Sequence, residues 1–172
     1  MFKKILVALD RSSEATAVFD FALSVAPPET SEILLVHFVD WQMQDVSSWT
    51  SVGTLYDIDV SRERYYKSNE YLQQEIEQNK TWLEAYAQKA IAQGINCKIE
   101  CRVGSCNLGI CDRAKQWEAD LIVLGRRGHK NISEILLGSV SNYVIHHAPC
   151  SVFVVQGVKV KQSEVLPQTS PV

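Results

Sequence analysis

The chain has 172 residues, 46% of them hydrophobic and 22% charged, with a formal net charge of −3. That is enough for one hydrophobic core and too little for two comfortable domains. The slight acidity argues against a dedicated nucleic-acid binder, which carries a basic surface, and no apolar run reaches the roughly 20 residues of a membrane-spanning helix.

Residues 2–9 are rich in Ile, Leu and Val with little alternation, which predicts a strand buried on both faces. The run is too short for a signal-peptide core and Asp10 follows at once, so a cytoplasmic protein is expected. Ser12-Ser13-Glu14 predicts a capped helix start, with Ala15, Val18, Phe19, Ala22 and Ala26 at spacings of three and four. Pro27-Pro28 stops that helix. Ile33 to Val39 reads as a second buried strand, with His37 as a satisfied core histidine, and residues 41–62 as an irregular, variable loop. Trp41, Trp49 and Tyr56 in that loop read as cover for the sheet edge rather than a lid over a ligand.

A long helix is predicted from about residue 63 to 93, with Leu72, Ile76, Leu83, Ala87, Ala90 and Ile91 on its apolar face and Gly94 at its end. A third strand spans Asn96 to Val103. Gly104-Ser105 then opens a helix that turns Ile110, Ala114 and Trp117 inward. Asp120 to Leu124 is the fourth strand, Ser139 to His147 the last helix, and Ser151 to Val155 the fifth strand. His146-His147 complement the negative end of their helix, which Ala148-Pro149 closes. The tail from 157 to 172 carries Pro167 and Pro171, lacks periodicity and is expected to be mobile. Strands alternating with helices predict an α/β domain over residues 1–156. It should hold a single open five-stranded parallel sheet with helices on both faces and right-handed crossovers.

The five cysteines, Cys97, Cys101, Cys106, Cys111 and Cys150, form no C-x-x-C pair. Cys97 and Cys101 share a face of one predicted strand but stand about 13 Å apart by strand rise. One tetrahedral ion, with bonds of about 2.3 Å, does not reach both. Buried or idle thiols are the expectation.

The most informative stretch is Gly125-Arg126-Arg127-Gly128, then nine residues, then Gly138-Ser139. It follows the apolar run Leu121 to Leu124 and precedes Val140, Val144, Ile145 and Ala148 at helical spacing. Strand, glycine loop and helix therefore come in succession. Unpaired amides at the positive end of a helix bind anions, and glycine lets a phosphate approach the backbone. No Walker G-x-x-x-x-G-K-[ST] occurs. In open parallel sheets, ligands sit at the carboxyl ends of strands where the strand order reverses. If the first and fourth strands meet there, Asp10 and the glycine loop face one crevice. Asp10 is also placed to cap the first helix. Arg126, Arg127, His129 and Lys130 read as a solvated loop lying where anions would sit.

These pieces resemble the universal stress protein family. The residues that carry the resemblance are Lys4-Ile5-Leu6-Val7-Ala8-Leu9-Asp10 with Ser12, and His37-Phe38-Val39-Asp40. Ala119-Asp120-Leu121-Ile122-Val123-Leu124-Gly125, the G-x-x-G-x9-G-S unit and Ala148-Pro149-Cys150-Ser151-Val152 complete it. The resemblance implies a Rossmann-like domain that forms homodimers, and the family's ATP-binding branch; Ser151 to Val155, an apolar edge strand left bare in a monomer, is the expected dimer contact. It implies Ala8 and Asp10 beside ribose and adenine, and Val39 against adenine. Leu124 and Gly125 would approach the ribose and α-phosphate, with Gly128, Gly138, Ser139, Val140 and Ser141 around the phosphates. Apart from the resemblance, Arg126 and Arg127 sit between the two loop glycines at the phosphate end and are expected to tune phosphate affinity through their charge. Two positions depart from the pattern: Arg11 stands where many members have glycine, and Arg126-Arg127 fill the centre of G-x-x-G.

No nucleophile elbow, Walker lysine or water-activating base is apparent. Without positioned water and charge neutralisation, bound ATP turns over slowly. The expected function is adenine-nucleotide binding, with ATP or else ADP or AMP, serving as signal or stabilising ligand in a stress response. The alternatives are a slow Mg²⁺-dependent ATPase and a dimeric adaptor with a structural nucleotide.

Overall fold

Short apolar runs separated by amphipathic segments fold into alternating strands and helices. The computed structural model describes residues 2–40, 57–126 and 137–156, with backbone alone over 57–68. In chain order the elements are β1 (Lys4–Ala8), α1 (Ala15–Val25), β2 (Glu32–Val39), α2 (Asp57–Ile91) and β3 (Asn96–Val103). α3 (Cys106–Trp117), β4 (Leu121–Gly125), α4 (Ser139–His147) and β5 (Ser151–Val155) follow. The five strands form one sheet in the order β3-β2-β1-β4-β5, and every pairing is parallel. This is the expected open, five-stranded α/β architecture.

The chain winds outward from β1 through β2 to β3, then returns to place β4 on the other side of β1. Right-handed crossovers force helices to opposite faces when the direction reverses. Accordingly α1 and α2 cover one face, where Ile5, Val7, Ile33, Leu35 and Val123 are buried. α3 and α4 cover the other, over Leu6, Leu34, Val36, Ile122 and Leu124. On that face Phe38 of β2 lies directly over Gly109 of α3, so close that a β-carbon at 109 would stand 2.1 Å from Cε1 of the ring.

Three local expectations change. α2 begins at Asp57, inside the segment read as irregular, where the sequence carries no apolar period from which a helix start could be read. Ile91 is 49% exposed. The buried line of α2 runs through Asn79, Leu83, Ala87 and Ala90, and Ile91, one residue further, is turned about 100° away. Finally, α1 has no side-chain cap at its N-cap, Glu14. Instead the Ser12 hydroxyl accepts the Glu14 amide at 3.3 Å and the Ser12 carbonyl accepts the Ala15 amide at 3.3 Å.

Other signals hold. Gly94 closes α2 with φ +76, its amide donating to Ile91 and that of Ile95 to Ala90, a double closure that favours glycine at the left-handed position. Ile110 and Ala114 are buried and Trp117 is half-buried. His147 Nδ1–H donates to the Tyr143 carbonyl at 2.8 Å in the last turn of α4.

The two sheet edges differ. β3 carries Lys98, Glu100 and Arg102, with Glu100 bridged to Arg113 of α3 and to Arg102. A row of charged side chains on an edge strand opposes edge-to-edge pairing. β5 is uncharged throughout, and Phe153, 43% exposed, stacks on Phe21 of α1 at 3.7 Å between centroids. The aromatic residues of the segment 41–56, and the tail 157–172, lie outside the described residues.

Candidate functional site

β1 and β4 are neighbours, and Ala8 pairs with Leu124 at their carboxyl ends. The condition for a shared crevice is therefore met: Asp10 follows β1 and Gly125 ends β4 at the switch point.

The turn after β1 is tightly held. The Leu9 amide donates to Val36 at 3.0 Å, and His37 Nδ1–H donates to the Leu9 carbonyl at 2.8 Å. Asp10 Oδ1 accepts the Ser12 amide at 3.1 Å and the Ser12 hydroxyl at 2.5 Å. This is an aspartate turn that fixes the start of the loop. Arg11 points to α2, where its Nε–H donates to Asn79 Oδ1 at 2.8 Å and its Nη2–H to the Gln78 carbonyl at 3.0 Å. The glycine-to-arginine departure is thus accommodated by a helix that lies far away in sequence.

On the β4 side, the Arg126 amide donates to the Val155 carbonyl at 2.8 Å. The Arg126 carbonyl accepts the Gly138 amide at 2.9 Å and the Ser141 hydroxyl at 2.9 Å. Gly138 is the N-cap of α4, in extended conformation, and no side chain caps the helix. Ser141 is 2% exposed, and its hydroxyl also reaches the Gly138 carbonyl at 3.0 Å. That side chain braces the helix start, so only the Ser141 amide is left to face a ligand. Ser139 is exposed and Val140 half-buried. Among the described residues, no acceptor takes the amides of Ser139, Val140 or Ser141. Arg127, Gly128, His129 and Lys130 lie outside the described residues. The Arg126 brace is absent from the sequence reading, because a main-chain carbonyl leaves no trace in residue types.

The third wall comes from β2 and α3. Val39 is buried at the end of β2, its carbonyl accepting the Gly104 amide at 3.0 Å. Cys106 opens α3 at the same end of the sheet. Burial pushes its thiol up to about 11, and the carboxylates of Asp10 and Asp40 push the same way. Burial likewise pushes the Cys97 thiol up to about 12. Neither is a thiolate near neutral pH, which is the form that binds metal or attacks. Among the described residues, no three His, Cys, Asp or Glu side chains come together as a metal site, and no helix is long and apolar enough to cross a membrane.

The fold has close counterparts. A structure of the hypothetical protein MJ0577 superimposes with a TM-score of 0.74 at 26% identity, covering 92% of this chain and 99% of that one. The universal stress protein UspA from Lactobacillus plantarum does so with a TM-score of 0.68 at 30% identity, over 89% of this chain and 97% of its own. Two more distant structures share the fold. One is an Arabidopsis thaliana universal stress protein family protein with AMP bound, with a TM-score of 0.59 at 16% identity over 95% of this chain and 97% of that one. The other is a universal stress protein in complex with cAMP, with a TM-score of 0.56 at 18% identity over 90% and 97%. In sequence, the universal stress protein Sll1388 of Synechocystis is 39% identical over 155 residues, spanning 90% of this chain and 98% of that protein. With the universal stress protein family model matching residues 1–156, this chain belongs to that family.

Proposed function

We propose that this chain binds an adenine nucleotide, ATP first and ADP or AMP as alternatives, in the crevice where β1 and β4 end. One observation carries the reading. The Arg126 carbonyl holds the start of α4 against the end of β4, and the amides of Ser139, Val140 and Ser141 have no acceptor among the described residues. Three unclaimed amides at the positive end of a helix suit a phosphate. Family members of the same fold bound to AMP and cAMP support adenine as the base.

In this reading Ala8 and Asp10 lie toward ribose and adenine, and Val39 lies beneath the base. Leu124 and Gly125 meet the ribose and α-phosphate. Gly138, Ser139, Val140 and the Ser141 amide receive the outer phosphates with Arg127 and Gly128. Mg²⁺ would arrive with the phosphates, which together with water satisfy most of its octahedral shell. The protein would act in stress response or signalling as a homodimer joined through β5, in the cytoplasm.

The deciding experiment is calorimetric titration of ATP, ADP and AMP into wild type and Gly138→Val, with circular dichroism as the control for folding. A β-branched side chain at 138 fills the approach to the helix start, so ATP binding should be lost while the fold remains. Equal ATP affinity in a folded variant would remove this segment from the site.

A further inference from the structure

We infer that Trp82 of α2 is a positioning residue for Asp10, gripping the chain on both sides of it. On the near side, the Leu9 carbonyl is held by His37 Nδ1–H at 2.8 Å, and the His37 ring stands edge-on to Trp82 at 5.7 Å and 80°. On the far side, the Arg11 guanidinium lies over the Trp82 ring at 5.3 Å while bonding Asn79 Oδ1 and the Gln78 carbonyl from the same helix. Asn79 is only 3% exposed, so its amide oxygen is committed to this bond. Trp82 is itself backed by Tyr86, edge-on at 5.4 Å and 83°, which meets Phe19 of α1 at 5.0 Å. The indole thus has a fixed seat in the core face and presents its surface to two groups that flank one aspartate.

The chemistry favours this arrangement over a free arginine. A guanidinium over an indole face is attracted by the ring quadrupole, and its bonds to two carbonyl oxygens are charge-assisted. An arginine beside a polyphosphate crevice would otherwise be drawn to the ligand. Held by α2, Arg11 leaves the crevice open and transmits the position of α2 to the loop that carries Asp10. Changes on α2, outside the crevice, should therefore alter nucleotide affinity. This last step rests on the nucleotide reading above, whereas the grip on the loop does not.

The test compares Arg11→Ala, Asn79→Ala and Trp82→Leu with wild type, and includes Trp82→Tyr as the conservative variant that keeps an aromatic face. Amide hydrogen exchange reads the grip without any nucleotide. The Leu9 and Ser12 amides should exchange about tenfold faster in Arg11→Ala and Asn79→Ala, with β4 amides unchanged and Trp82→Tyr near wild type. Arg11 is exposed, so its variant folds even if Trp82→Leu does not. Exchange within twofold of wild type in both alanine variants would overturn the inference. ATP titration reads the consequence, with affinity expected to fall about tenfold in the same two variants. Faster exchange with unchanged ATP affinity would overturn the functional half. Faster exchange in a protein whose wild type binds no adenine nucleotide would uphold the grip and reject the nucleotide reading.

Discussion

The Gly138 amide donates to the Arg126 carbonyl at 2.9 Å, joining the N-cap of α4 to the residue that leaves β4. The crevice owes its helix terminus to this bond, since it fixes where the first amides of α4 stand relative to the switch point. The Ser141 hydroxyl reinforces it at 2.9 Å from within the core. Ser141→Ala removes the second donor and leaves the Gly138 amide alone on that carbonyl. A net hydrogen bond contributes about 1 kcal/mol, so the variant should unfold at a lower temperature by a few degrees. ATP affinity should fall with it. Thermal denaturation and calorimetry of the one variant check both, and no change in either would show that the hydroxyl is idle.

Gly109 and Phe38 should show strong coupling. A β-carbon at 109 would lie 2.1 Å from Cε1 and 2.6 Å from Cζ of Phe38, so the ring must leave its seat. Overpacking costs about 1–3 kcal/mol, against a gain of about 1 kcal/mol from alanine in a helix. Gly109→Ala alone should therefore destabilise by up to about 2 kcal/mol. With Phe38→Leu already in place, the same substitution should be neutral or stabilising. Urea denaturation of the four members of the cycle gives the coupling, and additive effects would mean that the ring and the glycine are independent.

Acid should unfold the protein partly through two carboxylates. The Lys4 and then the Lys3 amide hold the Asp120 carboxyl below its ordinary value. For Glu100 the leading cause is the hydrogen bond from Arg113, again lowering. Both folded-state values are depressed, so their stabilisation is fully present above the unfolded values near 4. It is lost as pH falls through the folded ones. Asp120→Asn with Glu100→Gln should flatten stability between about pH 5 and pH 2. Denaturant midpoints for wild type and double variant at pH 7, 4 and 3 check this, and parallel curves would assign acid sensitivity elsewhere.

The apolar edge should pair with its own twin in the proposed dimer. Val155 turns its carbonyl to Arg126 of the β4 side, so by alternation Val152 and Val154 turn their polar backbone groups to the free edge. Two copies related by a two-fold axis present the same patch to each other, which for edge strands means antiparallel pairing. Full overlap of the five residues puts Phe153 opposite its counterpart as a non-hydrogen-bonded pair, with Cα atoms about 4.5 Å apart. Phe153→Cys, in a background with the native cysteines replaced by serine, should then crosslink rapidly under mild oxidation. Val152→Lys with Val154→Lys should sediment as a monomer. A wild type that sediments as a monomer at high concentration would reject the interface, while a dimer in which the Phe153→Cys variant fails to crosslink would reject only the register.

Several elements were legible from residue types alone. β3, α4 and β5 lie at Asn96–Val103, Ser139–His147 and Ser151–Val155, where apolar period and glycine or proline punctuation place them, because burial of one face and the cost of breaking a turn act over a few residues. The parallel α/β class followed from the alternation of elements. The seating of β4 beside β1 and the Arg126 brace were decided by tertiary structure. So were the turning of Arg11 to α2 and the exposure of Ile91. Hydrogen bonds and close packing act over a few ångströms between groups far apart in the chain. Which groups meet therefore depends on where the whole topology delivers them, and periodicity along the sequence carries no record of that delivery.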